Sequence, residues 1–372
     1  MLMSNIFEID KNNIIEKEQI IDPINNSKEN AIQKVFKIES LSYLISTFLT
    51  FKDKKSFYSL NKKLNFFFRK SVSQIESKII ISYPDIIERF PYLKIIDICG
   101  GKNLKLNFLK KKELQNLEEL KIKGVVVKDC SAISEFRKLK SLVLISIEIN
   151  NISFIKNLRN ISILDLGNNK IKNINTLKHL PNLHSLSLQQ CGLTNLKILK
   201  HSNFKQLEKL YIGLNNIKNY SFLKNMRKLN TLNLLGNNLI SIDFIKLLNE
   251  ETIVELNLSR NKINDYTPLC KFIHLKKLIL FNNNIISIGF LNDSFSELEV
   301  LDIGNNKYID DFSPIINLRK LKKINLFNCD LNNIDFLQKN NSELLEYVDL
   351  RNNRKIQDFS IINSLSNVKV LK

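Results

Sequence analysis

From Leu93 to the last residue the chain repeats one arrangement of apolar and polar positions, L-x-x-L-x-L-x-x-N-x-I-x-x-I/F-x-x-L, every 22 to 24 residues. The clearest unit runs Ile161, Leu164, Leu166, Asn169, Ile171, Ile174, Leu177, Leu180. Units open at Leu93, Leu117, Leu139, Ile161, Leu183, Leu207, Leu229, Ile253, Leu275, Leu298, Leu321 and Leu345, and a thirteenth, cut short, is placed at Val368 to Leu371. The Leu-x-Leu alternation predicts a brief half-buried strand with the intervening residues facing out. The apolar residues that follow, three apart, predict one turn of 3₁₀ helix or loose coil that carries the chain back. A single unit cannot bury its leucines alone, so stability must come from stacking on its neighbours.

The pattern resembles the leucine-rich repeat family in its short, regular form. The expected fold class is α/β: a solenoid over residues 93–372, with parallel strands on a concave face and 3₁₀ or coil on a convex face, behind a small N-terminal helical domain. Asn recurs at the corner after the strand as Asn169, Asn215, Asn237, Asn261, Asn283, Asn306 and Asn353, with Cys191 and Cys329 in the same slot. A side-chain amide there offers donors and an acceptor to backbone groups the turn leaves open, and stacked copies would form a ladder. A buried thiol is a weaker substitute.

Residues 1–34 are polar and without period, and a mobile tail is expected. From Phe36 the apolar residues fall at helical spacing, and Asp53 is placed to cap a second helix. The segment FKIESLSYLISTFLTFKDKKSFYSLNKKLNFFF resembles an F-box in its aromatic-Leu helix end, its Lys52-Asp53 linker and the helix that follows. It departs where Leu64 replaces an aromatic and where Ile38-Glu39-Ser40-Leu41 replaces a Leu-Pro opening. The alternative is a plain helical cap shielding the first strand. Domains are drawn as a tail at 1–34, an F-box-like module at 35–72, a connecting helix or linker at 73–92, with a short helix near Val72 to Ile81, and then the repeats.

The net charge of +19 invites a nucleic-acid reading. Register weakens it, because the second, third, fifth, seventh and eighth positions of the twelve units hold nearly equal numbers of cations and anions. The excess falls on the returning segments and the N-terminal region, as an A/T-biased genome would produce, so nucleic acid is not the expected partner. Five scattered cysteines without C-x-x-C fit a reducing compartment. No stretch of eighteen apolar residues and no secretory leader is read, so a soluble cytoplasmic protein is expected, delivered to a host cell if the source is an intracellular bacterium.

Four histidines lie in four units without metal-ligand spacing, and no nucleotide or nucleophile-elbow motif occurs, so neither catalysis nor a cofactor or metal is expected. Binding is expected on the concave face, where Tyr211, Leu235, Ile279, Phe281, Phe327 and Tyr347 point outward, with Leu214 near a strand end. Phe281 and Phe327 share a register two units apart, with Gly304 between them, and a cleft for an apolar side chain is expected there. Asp165, Asp302 and Asp349 share the fifth position with Asn233, Asn257 and Asn325 and form a polar stripe beside the aromatic one.

The F-box resemblance implies a substrate-recognition subunit of a cullin-type ubiquitin ligase. It implies that Leu41, Leu44, Phe48, Leu49, Phe57 and Leu60 dock a Skp-type adaptor while the concave face holds the target protein. The alternatives are a stand-alone scaffold, such as a leucine-rich regulatory subunit of a protein phosphatase, and an adhesin like the internalins, which the missing leader argues against.

Overall fold

The computed structural model describes residues 74–75, 93–100, 103–110, 112–339, 344–364 and 368–372. The expected tail, the F-box-like module and the connector apart from Gln74 and Ile75 lie outside the described residues. Within the connector, Gln74 and Ile75 are strand, paired in parallel with Ile95 and Ile96, where a short helix is expected.

Among the described residues fourteen strands form one parallel sheet in which each neighbours the strand before it in sequence. Each unit contributes one strand to this sheet, from Ile95–Cys99 to Lys369–Leu371, and the first two units add a separate parallel pair, Asn103–Leu104 with Val126–Val127. The fourth position of every unit falls in one row, from Ile96, Leu120 and Leu142 through Leu278, Leu301 and Ile324. These side chains are fully buried or nearly so, except at the last strand, where Val370 is half-buried. Each buried Leu or Ile contributes about 1.5–3 kcal/mol, and each needs both neighbouring rungs to cover it.

The last unit is shifted by one residue from the sequence reading. Val370 pairs with Val348 and Leu371 with Asp349, so Val370 occupies the inward Leu row and Leu371 the outward fifth position. The segment Val-Lys-Val-Leu offers two apolar phases, and pairing with the preceding strand decides between them.

The return segments are 3₁₀ turns such as Ser153–Asn157, Asn175–His179 and Ser221–Asn225, with short α-helical turns at Asp335–Lys339 and Ser360–Ser364. Two residues before the first N–H of most of these turns stands an Asn, Asp or Ser whose side chain accepts from it, as Asn151 from Ser153, Asn219 from Ser221 and Asp311 from Ser313. Such side chains satisfy a donor that the helix leaves open. The sequence reading passed over this second periodic polar position.

The corner ladder forms as expected. The Asn283 amide donates to Leu258 O and Leu280 O, and the Asn306 Oδ1 accepts from the N–H groups of Asn283 and Ile285. At the exceptions, the Cys191 and Cys329 thiols donate to Leu166 O and Ile303 O of the preceding unit but have no counterpart to the amide oxygen. The residue before the corner takes a left-handed conformation in unit after unit, including Asn168, Leu214, Arg260, Asn282, Asn305 and Asn328. Asn adopts this more readily than other side chains, which accounts for the paired asparagines at many corners.

Candidate functional site

The outward strand face is built from two adjacent rows. The seventh positions read Gly167, Gln189, Gly213, Leu235, Ser259, Phe281, Gly304, Phe327, Arg351. From Gly213 to Phe327 small and large residues alternate, and the large ones are half-buried. Adjacent strands lie only about 4.8 Å apart, too close for a ring on every rung. A Cβ on Gly304 would meet Phe281 Cδ2 at 3.0 Å, and one on Gly213 would meet Leu235 Cβ at 3.0 Å. Leu214 lies over Gly236 in the same way. These glycines are places where a neighbour's side chain lies down.

The cleft expected between Phe281 and Phe327 is therefore absent. The two rings stack across Gly304 with centroids 6.5 Å apart and planes inclined by 28°. Arg351 extends the row from the other side, its guanidinium carbon 5.8 Å from the Phe327 ring centre. Ile279 and Tyr347 stand half-buried beside them. The result is an apolar ridge with a cationic end. Tyr211 and Leu235 lie on earlier rungs, and neither touches the Phe pair through a described ring contact.

In the neighbouring fifth-position row, Asp165, Asn233, Asn257, Asp302, Asn325 and Asp349 each accept the N–H two residues on. This stripe first serves the backbone. Asp349 is buried, 3% exposed, and gripped by Arg351 at 2.6 and 3.0 Å, which removes it from the candidate partner contacts. Asp302 is different. Burial pushes its carboxyl up to about 6, against the pull of the Gly304 N–H and the Asn325 side chain, and Asp349 adds to the rise. No cation pairs with Asp302 among the described residues, and Ile279, Gly304 and Phe281 surround it in register. Asp165 sits alone on its earlier rung, half-buried, bonded to the Gly167 N–H.

The charged second positions largely neutralise one another. Glu118 bridges Lys94 and Lys140, and Glu299 bridges Lys276 and Lys322, each across consecutive units. Asn282, Asn305 and Asn328 form a second, outer amide ladder along the edge of the aromatic ridge. The sequence reading missed this ladder, although Asn at successive eighth positions signalled it.

Among the described residues no cluster of His, Cys, Asp and Glu has the arrangement to hold a metal ion. Burial pushes the Cys130 and Cys329 thiols up to about 12 and Cys191 up to about 11, so these thiols stay protonated near neutral pH. No described helix is long and apolar enough to cross a membrane.

The comparisons with known proteins agree with this architecture. Residues 273–317, which contain Phe281 and Gly304, match the family model described as leucine-rich repeats in two copies. No curated protein sequence is significantly similar to the chain. Among solved structures, an internalin from Listeria monocytogenes, InlF, aligns with a TM-score of 0.57 at 24% identity, over 77% of this chain and 88% of that one. The functional domain of InlJ from the same organism, which includes a cysteine ladder, aligns with a TM-score of 0.56 at 22% identity, over 77% of this chain and 59% of that one. At such identities the likeness is one of fold. The repeats are leucine-rich repeats, and here the ladder is built of Asn with Cys at two of its rungs.

Proposed function

We infer that the chain is a binding protein without catalytic activity, which captures a protein partner on its strand face through the ridge Ile279, Phe281, Phe327 and Tyr347. The observation that carries this is the pairing of Phe281 with Phe327 beside the carboxylate of Asp302, which has no cation of its own. Half-buried aromatic groups around an unmatched charge favour a partner segment with an apolar anchor and a Lys or Arg next to it. Leu235 and Tyr211 extend the same face toward earlier rungs.

The finer reading adds the N-terminal segment. The resemblance of Leu41 to Phe68 to an F-box supports a cytoplasmic substrate-recognition subunit of a cullin-type ligase, with a Skp-type adaptor docked through Leu44, Phe48 and Leu60 and the target held on the repeats. The rival is a stand-alone scaffold or phosphatase regulatory subunit in which those helices only cap the solenoid. Co-purification of the full chain with a Skp-type adaptor, lost on Leu44→Asp plus Leu60→Asp while the repeats keep their circular dichroism, supports the ligase reading. Absence of adaptor binding by the intact chain removes it. Partner capture lost on Phe281→Ala plus Phe327→Ala, and unaffected by the N-terminal changes, supports the strand-face reading under either alternative.

A further inference from the structure

The positive charge of the chain is segregated along the repeats. Residues 149–228 hold thirteen Lys and Arg against two carboxylates, Asp165 and Glu208, whereas residues 229–372 hold seventeen of each. Codon bias alone would spread lysine evenly over units of one pattern. Both carboxylates of the basic block occupy strand-face positions, which leaves its 3₁₀ surface without an anion.

On that surface one lysine recurs at the same place in five consecutive return segments. Lys156, Lys178, Lys200, Lys224 and Lys246 stand in the turns Ser153–Asn157, Asn175–His179, Lys197–Lys200, Ser221–Asn225 and Asp243–Leu247. Consecutive turns in this series pack on one another, so the lysines form a row along the repeat axis. Lys246 ends the row in an ion pair with Asp243 at 2.7 Å. Lys156, Lys200 and Lys224 are exposed, and no described carboxylate pairs with them. Arg159, Lys205, Arg227 and Lys228 flank the row, all exposed. Elsewhere the described lysines commonly do pair, as at Glu118, Glu299 and Asp330.

We propose that the row Lys156, Lys178, Lys200 and Lys224 binds the phosphate backbone of duplex nucleic acid, without reading its sequence. Phe204, Tyr220 and Phe222 of these units are buried and Phe154 is half-buried, so no ring stands fully exposed for stacking on unpaired bases. Among the large apolar side chains of the five return segments that carry the row, only Leu247, 39% exposed at its far end, is open to solvent, and a single such side chain is too little to hold a protein or enter a bilayer. A face that offers only a line of cations gains affinity from counterion release, and a duplex, with about one charge per 1.7 Å of axis, supplies the most. His179 carries the electrostatic record of the row: partial burial and then Lys156, Lys178, Arg159 and His201 hold its pKa below the usual value.

The test uses the full chain and two duplexes of about twenty base pairs with unrelated sequences, followed by fluorescence anisotropy at several salt concentrations. Both duplexes are expected to bind equally, with affinity falling steeply as salt rises. Lys156→Gln, Lys178→Gln, Lys200→Gln and Lys224→Gln together should flatten the log–log salt slope by about 3 and weaken binding at least about tenfold at 0.1 M salt. The same four positions as Arg should retain binding, and Lys276→Gln plus Lys322→Gln should leave it unchanged. The His179 ring signal should titrate at higher pH when duplex is added. Unchanged binding in the fourfold Gln variant overturns the proposal. So does binding of a sulfated polysaccharide or anionic vesicles but not of the duplexes, or strong discrimination between the two sequences.

Discussion

The ring of Phe281 rests on Gly304, at a distance where a single added carbon on the glycine would come within 3.0 Å of the ring and 3.1 Å of the Asn325 side-chain oxygen. Gly304→Ala must therefore lift the ring away from Phe327 or push Asn325 aside. The expected cost is about 1–2 kcal/mol, read as a lower urea midpoint, together with a loss of partner affinity larger than that of a control Ala change at exposed Lys262.

The corner ladder predicts opposite signs for two substitutions at equivalent places. Asn283→Ala leaves the Asn261 N–H without its Oδ1 acceptor and takes one of two amide donors from each of Leu258 O and Leu280 O, and should cost about 1–3 kcal/mol. Cys191→Asn keeps the bond to Leu166 O and adds an acceptor of the kind that Asn215 presents to Cys191 N and Leu193 N. It should raise stability by about 1 kcal/mol. A Cys191→Asn variant less stable than the parent in chemical denaturation would argue that the thiol's shape matters more than the missing acceptor.

Tyr220 stacks on Phe244 at 4.0 Å and Tyr266 on Phe290 at 5.1 Å, and both hydroxyls are buried without a partner. Phe312 on Phe336 continues the series with no hydroxyl. Tyr220→Phe and Tyr266→Phe should be neutral or stabilising by about 1 kcal/mol each at pH 7. Burial raises both phenol pKa values above the ordinary 10.0. The folded state thus holds the proton longer than the unfolded one, and stability contributed below pH 10 is lost as pH climbs past it. The double Phe variant should resist alkaline unfolding better than the parent, followed by far-ultraviolet circular dichroism.

Asp302 gives the acid-side counterpart. Its pKa of about 6, against an ordinary 3.8, means that the folded state favours the protonated form. The contribution is complete below pH 4 and disappears as pH rises to about 6. Asp302→Asn keeps an acceptor for the Gly304 N–H, as Asn233 does for Leu235, and removes the buried charge. Relative to the parent, the variant should gain up to about 3 kcal/mol at pH 7 over its difference at pH 4. It should also lose the rise in partner affinity expected between pH 5 and 7 if a partner cation sits on this carboxylate.

Arg260 is exposed and holds φ at 55°, a conformation that costs a long side chain roughly 1–2 kcal/mol. Arg260→Asn, the residue used at five other eighth positions, should raise the thermal midpoint, and an unchanged midpoint would mean the arginine makes compensating contacts.

The corner amides, the buried Leu rows and the 3₁₀ returns were legible in the chain because each inward position meets the same surroundings in every unit. A rule in one dimension is then enough. The outward contacts were less legible. Tyr211, Leu235, Ile279, Phe281, Phe327 and Tyr347 do stand on the outer face, but whether Phe281 and Phe327 frame a gap or close it depends on ring size against rung spacing and on what Gly304 leaves open. A recurrence of 46 residues, visible at Leu235, Phe281 and Phe327 and again at Tyr220, Tyr266 and Phe312, carried part of that information.

By itself the sequence determined the repeat, its register up to Val368, and which side chains are excluded from water, since burial in a stacked array follows from spacing alone. Only the tertiary structure decided the phase of the final strand, the closure of the aromatic pair, the capture of Asp349 by Arg351 and the packing of successive lysine-bearing turns into one row. These are relations between units. They are set by distances of a few ångströms across the stack, which a periodic string of letters does not contain.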